Sequence, residues 1–240
     1  MKKIIAVIIV LLAAAAGTAF ALQGYPWKSK IKKEYGGIHP VETKETDAMT
    51  EVPEGWDTYR ASGIKFYAPE GLEYDDANYC YYTDEKSLSI TIAPDGTSGS
   101  EYVDSFLAEM DITPKELKHF CKKTDTEYPN DLYDLFRIQT SLSEEKFNIH
   151  SYKAAHTFYK LMGGTSIVGA DIYFVNSGGK YNEFIMQANA GQEGFDSAVS
   201  AVWLFENNGK FYHVNVVSVD GDLNLEIARS LKPLEDTAAE

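Results

Sequence analysis

Apolar residues alternate with polar ones in some stretches of the chain and recur every three or four positions in others. Ile64, Phe66 and Ala68 alternate with Lys65 and Tyr67 until Pro69, which predicts a half-buried strand. Residues 79–82 and Leu88, Ile90 and Ile92 repeat the pattern around a turn at Thr83-Asp84-Glu85-Lys86, and Pro94-Asp95-Gly96 ends it. Four helical stripes follow. Val103, Phe106, Leu107 and Met110 form the first, with Ser98 and Glu101 at capping-box spacing. Thr113-Pro114-Lys115-Glu116 supplies a cap, a proline at the first helical position and an acid at the third, ahead of Leu117, Phe120 and Cys121. Leu132, Leu135, Phe136 and Leu142 make a third stripe; Tyr152, Ala155, Tyr159 and Met162 make a fourth, closed by Gly163-Gly164.

Strand patterning then returns. Ile172 and Phe174 alternate with Tyr173 and Val175 before Ser177-Gly178-Gly179, and Phe184-Ile185-Met186 continues. Residues 198–205 and 210–217 flank Asn207-Asn208-Gly209, where a type I′ turn needs positive φ at both central positions. Leu223, Ile227, Ala228 and Leu231 outline a closing helix ended by Pro233. Strands, helices, strands and a helix, with tight hairpins, predict one α+β domain over residues 56–234. Its expected frame is an antiparallel sheet of about six to seven strands with helices packed on it.

The N-terminus has a different character. Lys2-Lys3 precede residues 4–22, which carry no charge and are long enough for a hydrophobic helix. Ala19-Phe20-Ala21 fits a signal-peptidase site, whereas the length of the run and the flanking Tyr25 and Trp27 fit a transmembrane anchor. Both readings of residues 1–27 stand; lysines on both sides of the run give no vote on orientation, and export of the folded part is the expectation. Residues 28–55, with four lysines at 28–33, Gly36-Gly37, Pro40 and Pro53, read as a flexible tether, and 235–240 as a tail.

Composition adds a charge constraint. With 22 Lys and Arg against 36 Asp and Glu, the net charge is −14, which argues against a nucleic-acid partner. An exported acidic surface is also repelled by anionic headgroups and wall polymers.

The order of elements resembles the PsbP-like superfamily, named for an extrinsic subunit of photosystem II. The resemblance rests on Gly63-Ile-Lys-Phe-Tyr-Ala-Pro69-Glu-Gly, the capped helix of residues 98–111, and Ile227-Ala-Arg-Ser230-Leu-Lys232 behind the last hairpin, together about half of the domain. It implies a sheet with packed helices used for binding or assembly. Residues 113–162 depart from that pattern as a helical insertion.

Chemical signatures are scarce. His39 lies in the tether, His150 and His156 are six apart, His119 is two residues from Cys121, and His213 stands alone; none has metal-ligand spacing. Cys80 sits among Tyr79, Tyr81 and Tyr82. A Cys80–Cys121 disulfide would close a loop of about 40 residues and add on the order of 3–4 kcal/mol; two buried thiols are the alternative. Asp220-Gly-Asp222-Leu-Asn224 starts like a calcium loop but has Leu225 in place of the glycine and Leu231 in place of the final glutamate, so a turn and helix cap is the better reading. Gly178-Gly179-Lys180 lacks the rest of a phosphate loop, no Gly-x-Ser-x-Gly occurs, and Asp75-Asp76, Asp84-Glu85 and Glu144-Glu145 are merely adjacent acids. Tyr79, Tyr81 and Tyr82 are a candidate aromatic contact surface, with packing as the alternative.

No catalytic residue, cofactor or metal is expected. The sequence reads as a membrane-tethered or secreted, non-catalytic binding domain of the cell envelope, with a protein or envelope partner and membrane attachment through residues 4–22 if uncleaved. The insertion at 113–162 is the first candidate for the partner surface. An exported hydrolase with a carboxylate pair unreadable from spacing, and an assembly factor for a membrane complex, are the alternatives.

Overall fold

The structure is a computed structural model that describes Ser29, Lys33 and residues 41–84, 87–93, 99–141, 152–163, 170–189, 198–205 and 210–234. The apolar run at 4–22, the tail, the turn residues at 85–86, 94–96 and 207–209, and Ser98, Leu142, Glu144-Glu145, His39 and His150 lie outside the described residues. No helix among the described residues is long and apolar enough to cross a membrane.

The chain is α+β. Eleven strands are described: β1 (Thr43–Asp47), β2 (Trp56–Ala61), β3 (Ile64–Pro69), β4 (Glu73–Asp75), β5 (Cys80–Tyr82), β6 (Leu88–Ile92), β7 (Asp171–Asn176), β8 (Asn182–Asn189), β9 (Ala198–Phe205), β10 (Phe211–Ser218) and β11 (Lys232–Pro233). Five helices accompany them: α1 (Gly99–Glu109), α2 (Pro114–Thr124), α3 (Leu132–Ser141), α4 (Tyr152–Gly163) and α5 (Gly221–Ser230). Eight strands form one mixed, mostly antiparallel sheet in the order β1-β7-β8-β9-β10-β6-β5-β4, and β11-β3-β2 form a second, three-stranded sheet.

Period-2 geometry sends successive side chains of the central strands to opposite faces. On one face Ile172, Phe174, Phe184 and Phe211 join Leu107, Leu117, Phe120, Leu135, Phe136 and Phe158 from α1–α4 in a single core. Phe136 is the hub, its ring 4.1 Å from that of Phe184 and 5.1 Å from that of Trp203. On the other face Ile185, Val202, Leu204, Tyr212, Val214 and Val216 meet Ile227 of α5, Leu231 just after it, and Ile64, Phe66 and Ala68 of β3. The molecule is therefore three layers: four helices, the large sheet, and α5 with the small sheet.

Three expectations from the sequence change. First, β3 belongs to a second sheet. Its partner β2 is joined to it by the two-residue turn Ser62-Gly63, at φ 49° and 81°, where a Cβ on Gly63 would also come within 3.1 Å of the Tyr212 hydroxyl. Second, residues 43–47 are not tether: β1 runs parallel to β7 at the end of the large sheet. It shows no apolar period because four of its five side chains are exposed and the backbone pairing holds it, with ion pairs Lys44–Asp171 and Glu45–Arg137 across the edge. Third, residues 113–162 do not stand apart from the core, since α2–α4 supply most of one sheet-covering layer.

Two local signals of the sequence are obeyed. Thr113 and Glu116 form the reciprocal capping box, and Asp125 closes α2 in the left-handed region. Asp220 caps α5 by accepting from the amides of Asp222 and Leu223, so the calcium-like stretch is a turn and helix cap.

Truncating the hub tests the helix layer. Phe136→Ala is expected to lower stability by about 3–5 kcal/mol in denaturant unfolding with an unchanged slope. Deleting residues 113–162 should abolish the cooperative transition, because it uncovers the Phe174, Phe184 and Phe211 face.

Candidate functional site

The residues singled out in the sequence do not form one site. Both cysteines are free thiols, so the disulfide is not made. Cys80 lies on β5, its Sγ donating to Tyr81 O and accepting from Thr91 Oγ1, whereas Cys121 is buried on the core side of α2. Burial pushes the Cys121 thiol up, away from thiolate chemistry. The three tyrosines also diverge. Tyr81 packs on Tyr59, Phe66 and Tyr74 and donates to the Arg60 carbonyl, while the alternation of β5 sends Tyr82 to the opposite face, where its hydroxyl bonds Glu73. Tyr79, 41% exposed, sits in a left-handed turn conformation before the strand. No cluster of three or more metal-ligating side chains occurs among the described residues.

Two concavities stand out among the described residues. The larger, about 580 Å³, lies where β1, β7 and β8 meet α3, and it holds two carboxylates, Glu45 and Asp47. Several of its polar groups are committed to one another, while Tyr181, also in its lining, has a buried hydroxyl with no partner among the described residues. Arg137 stacks 3.5 Å over the Phe174 ring, donates to Glu45 at 2.8 Å and to the Tyr133 hydroxyl at 2.8 and 3.2 Å; Asn176 donates to Asp47 at 3.2 Å. Both carboxylates are exposed. These bonds fasten the sheet edge.

The second is a groove of about 410 Å³ between α2 and α4, lined by Lys115, Glu116 and His119 from one helix and Tyr152, Lys153, His156 and Thr157 from the other. Helical periodicity builds it. Leu117, Phe120, Cys121 and Thr124 point into the core, leaving Lys115, Lys118, His119, Lys122 and Lys123 on the outer side of α2. Ala154, Ala155, Phe158 and Leu161 do the same for α4, turning Tyr152, Lys153 and His156 outward. The two helices carry six lysines against one acid, in a chain whose net charge is −14. That acid, Glu116, is taken up by the capping box: its Oε2 accepts from Thr113 N and Oγ1 at 2.8 Å each, bonds that hold its carboxyl below the usual range. Lys160 is tied to Asp111.

Reading His119 against Cys121 and His156 against His150, each by sequence spacing alone, misses this site. The signal available was the lysine-rich outer stripe of α2; its apposition to α4 is a tertiary fact.

A further group escaped the sequence reading. Glu183 on β8 is fully buried, and neither carboxylate oxygen has a partner among the described residues. Its register opposite Val175 and Leu204 places it in the apolar face under α5. Desolvation raises its pKa well above the ordinary 4.5, against the opposing pull of Arg229. Tyr181, whose hydroxyl is likewise buried and unpartnered, is pushed up by the same burial and by Glu183.

Neither a family model nor a curated protein matches the chain. The site therefore has to be read from its own geometry.

Glu183 generates a prediction with a definite sign. The folded state keeps its proton where the unfolded state releases it, so the contribution is complete below about pH 4.5 and is lost as pH rises toward the folded value. The loss is at most about 1.4 kcal/mol per pH unit within that window. Glu183→Gln should match the parent near pH 4 and exceed it increasingly toward pH 8 in chemical unfolding. A constant difference across that range would contradict the assignment.

Proposed function

We propose that this chain is an exported binding domain of the cell envelope, tethered by residues 4–22 if these are retained, and that it acts through the outer face of α2 and α4. The observation that carries the reading is the segregation of charge: six lysines and two histidines on two helices of an acidic protein. Such a face attracts anionic partners at close range while the rest of the surface repels them. The resemblance to PsbP-like proteins, with sheets and packed helices used for binding or assembly, supports the same reading by analogy. An exported hydrolase finds less support, because the concavity at the β1 edge, which holds two carboxylates, has both of them engaged and exposed.

At pH 7 and low salt the full chain is expected to bind a sulfonate cation exchanger in spite of its net charge. The combined reversal Lys118→Glu, Lys122→Glu, Lys123→Glu and Lys153→Glu should pass through the column with unchanged circular dichroism. Reversal of Lys28, Lys30, Lys32 and Lys33 should leave retention in place. Flow-through of the parent, or retention of the helix variant, would overturn the assignment. Cell fractionation with N-terminal sequencing should find the chain in the membrane or exported fraction, and recovery of the intact chain from the cytosol would refute export.

A further inference from the structure

We infer that the groove between α2 and α4 binds a phosphate monoester carrying a flat or apolar body, an inference that rests on the reading of this face as the binding surface. Donors dominate the groove. Lys115 and His119 come from α2, Lys153 and His156 from α4, and the one carboxylate among them is occupied by Thr113. A carboxylate ligand offers one charge on two oxygens. A phosphate monoester offers close to two charges on three oxygens, which matches a lysine from each helix with imidazole N–H groups beside them.

The placement of the two groove lysines is the strongest clue. Lys122 and Lys123, in the last turn of α2, are where a helix dipole favours cations, so they have an ordinary structural explanation. Lys115 and Lys153 gain nothing from that dipole. Each is the second residue of its helix, at the end where the dipole disfavours a cation. An anion seated between them would be favoured by both ammonium groups and would reverse that unfavourable placement.

The rest of the groove describes the ligand's body. The Tyr152 and His156 rings lie 6.4 Å apart at 36°, giving one wall a flat aromatic character. Thr157, 3% exposed, lies at the lining with its hydroxyl already donating to the Lys153 carbonyl at 3.0 Å, so the base adds little polarity. A volume of about 410 Å³ is within the range of small-molecule sites and leaves room beyond a phosphate group. The acidic remainder of the surface disfavours a long polyanion, which would have to run across it; a compact monoester meets only the lysines.

Phenyl phosphate, titrated into the full chain and followed by histidine ring resonances, tests this directly. Saturable shifts at His119 and His156 are expected, with affinity about tenfold above benzoate and also above inorganic phosphate. Lys115→Gln or Lys153→Gln should each weaken binding about fivefold or more, and the combined Lys118→Gln, Lys122→Gln, Lys123→Gln variant should stay within about twofold of the parent. Phosphatidylcholine vesicles containing phosphatidic acid separate two sources of the same chemistry. Vesicle binding displaced by phenyl phosphate identifies a lipid headgroup, and phenyl phosphate binding without vesicle binding identifies a soluble ester. Non-saturable shifts, equal response to benzoate, or equal sensitivity to the outer lysines would overturn the groove assignment. The reading of the face as a basic binding surface would then still stand if exchanger retention depends on the helix lysines.

Discussion

Two-sided burial of β7–β10 is the constraint on which the architecture depends. Phe184 and Ile185 are neighbours in sequence, both completely buried, and they point into different cores. A sheet with one wet face would need only one covering layer; here each face exposes large apolar side chains that only packing removes from water. The four helices cover one side, and α5 with the three-stranded sheet covers the other. Ser230 fastens the second layer at its far end, accepting from Tyr67 N at 2.8 Å and lying within bonding distance of Tyr67 O and Ile227 O. Neither layer is an accessory.

That constraint also explains which parts of the fold were legible. Strands with a core on one side, such as Leu88-Ser-Ile-Thr-Ile92, show their period openly, and so do the helical stripes of α2 and α3. β1 and β4 are different. They close the two ends of the large sheet, show mostly exposed side chains, and are held by backbone bonds that leave no mark on residue type. The turn at Ser62-Gly63 was readable only through backbone conformation, which one glycine beside a serine barely signals. β11 is two residues long and exists because the chain leaving α5 is drawn alongside β3, with Leu234 N bonded to Gly63 O.

The candidate site was legible in halves. The charge stripe of α2 follows from its spacing, and the outward Lys153 and His156 follow from the stripe of α4. Their meeting depends on both helices docking their opposite sides on the same core. Glu183 shows the same limit: an acid in a strand reads as a surface residue until register assigns it to the buried face. A carboxyl in that position needs its proton to remain compatible with the core, as its raised pKa records.

Core and charge occupy opposite sides of the same two helices, and this makes a local basic face possible in an acidic protein. Leu117 and Phe120, Ala154 and Phe158 hold α2 and α4 in place, and among the described residues only Lys160 of their six lysines is ion-paired to a neighbouring segment, through Asp111. The other lysines are therefore free to be positioned by requirements other than packing. At physiological ionic strength charges are screened over about 8 Å, so an ion in the groove responds to the lysines beside it far more than to acids across the molecule. Net charge governs solubility and long-range repulsion; within the groove, Lys115 and Lys153 are the lysines that line it. An acidic chain and an anion-binding face are thus compatible, provided the basic residues are concentrated on one surface, as α2 and α4 concentrate them.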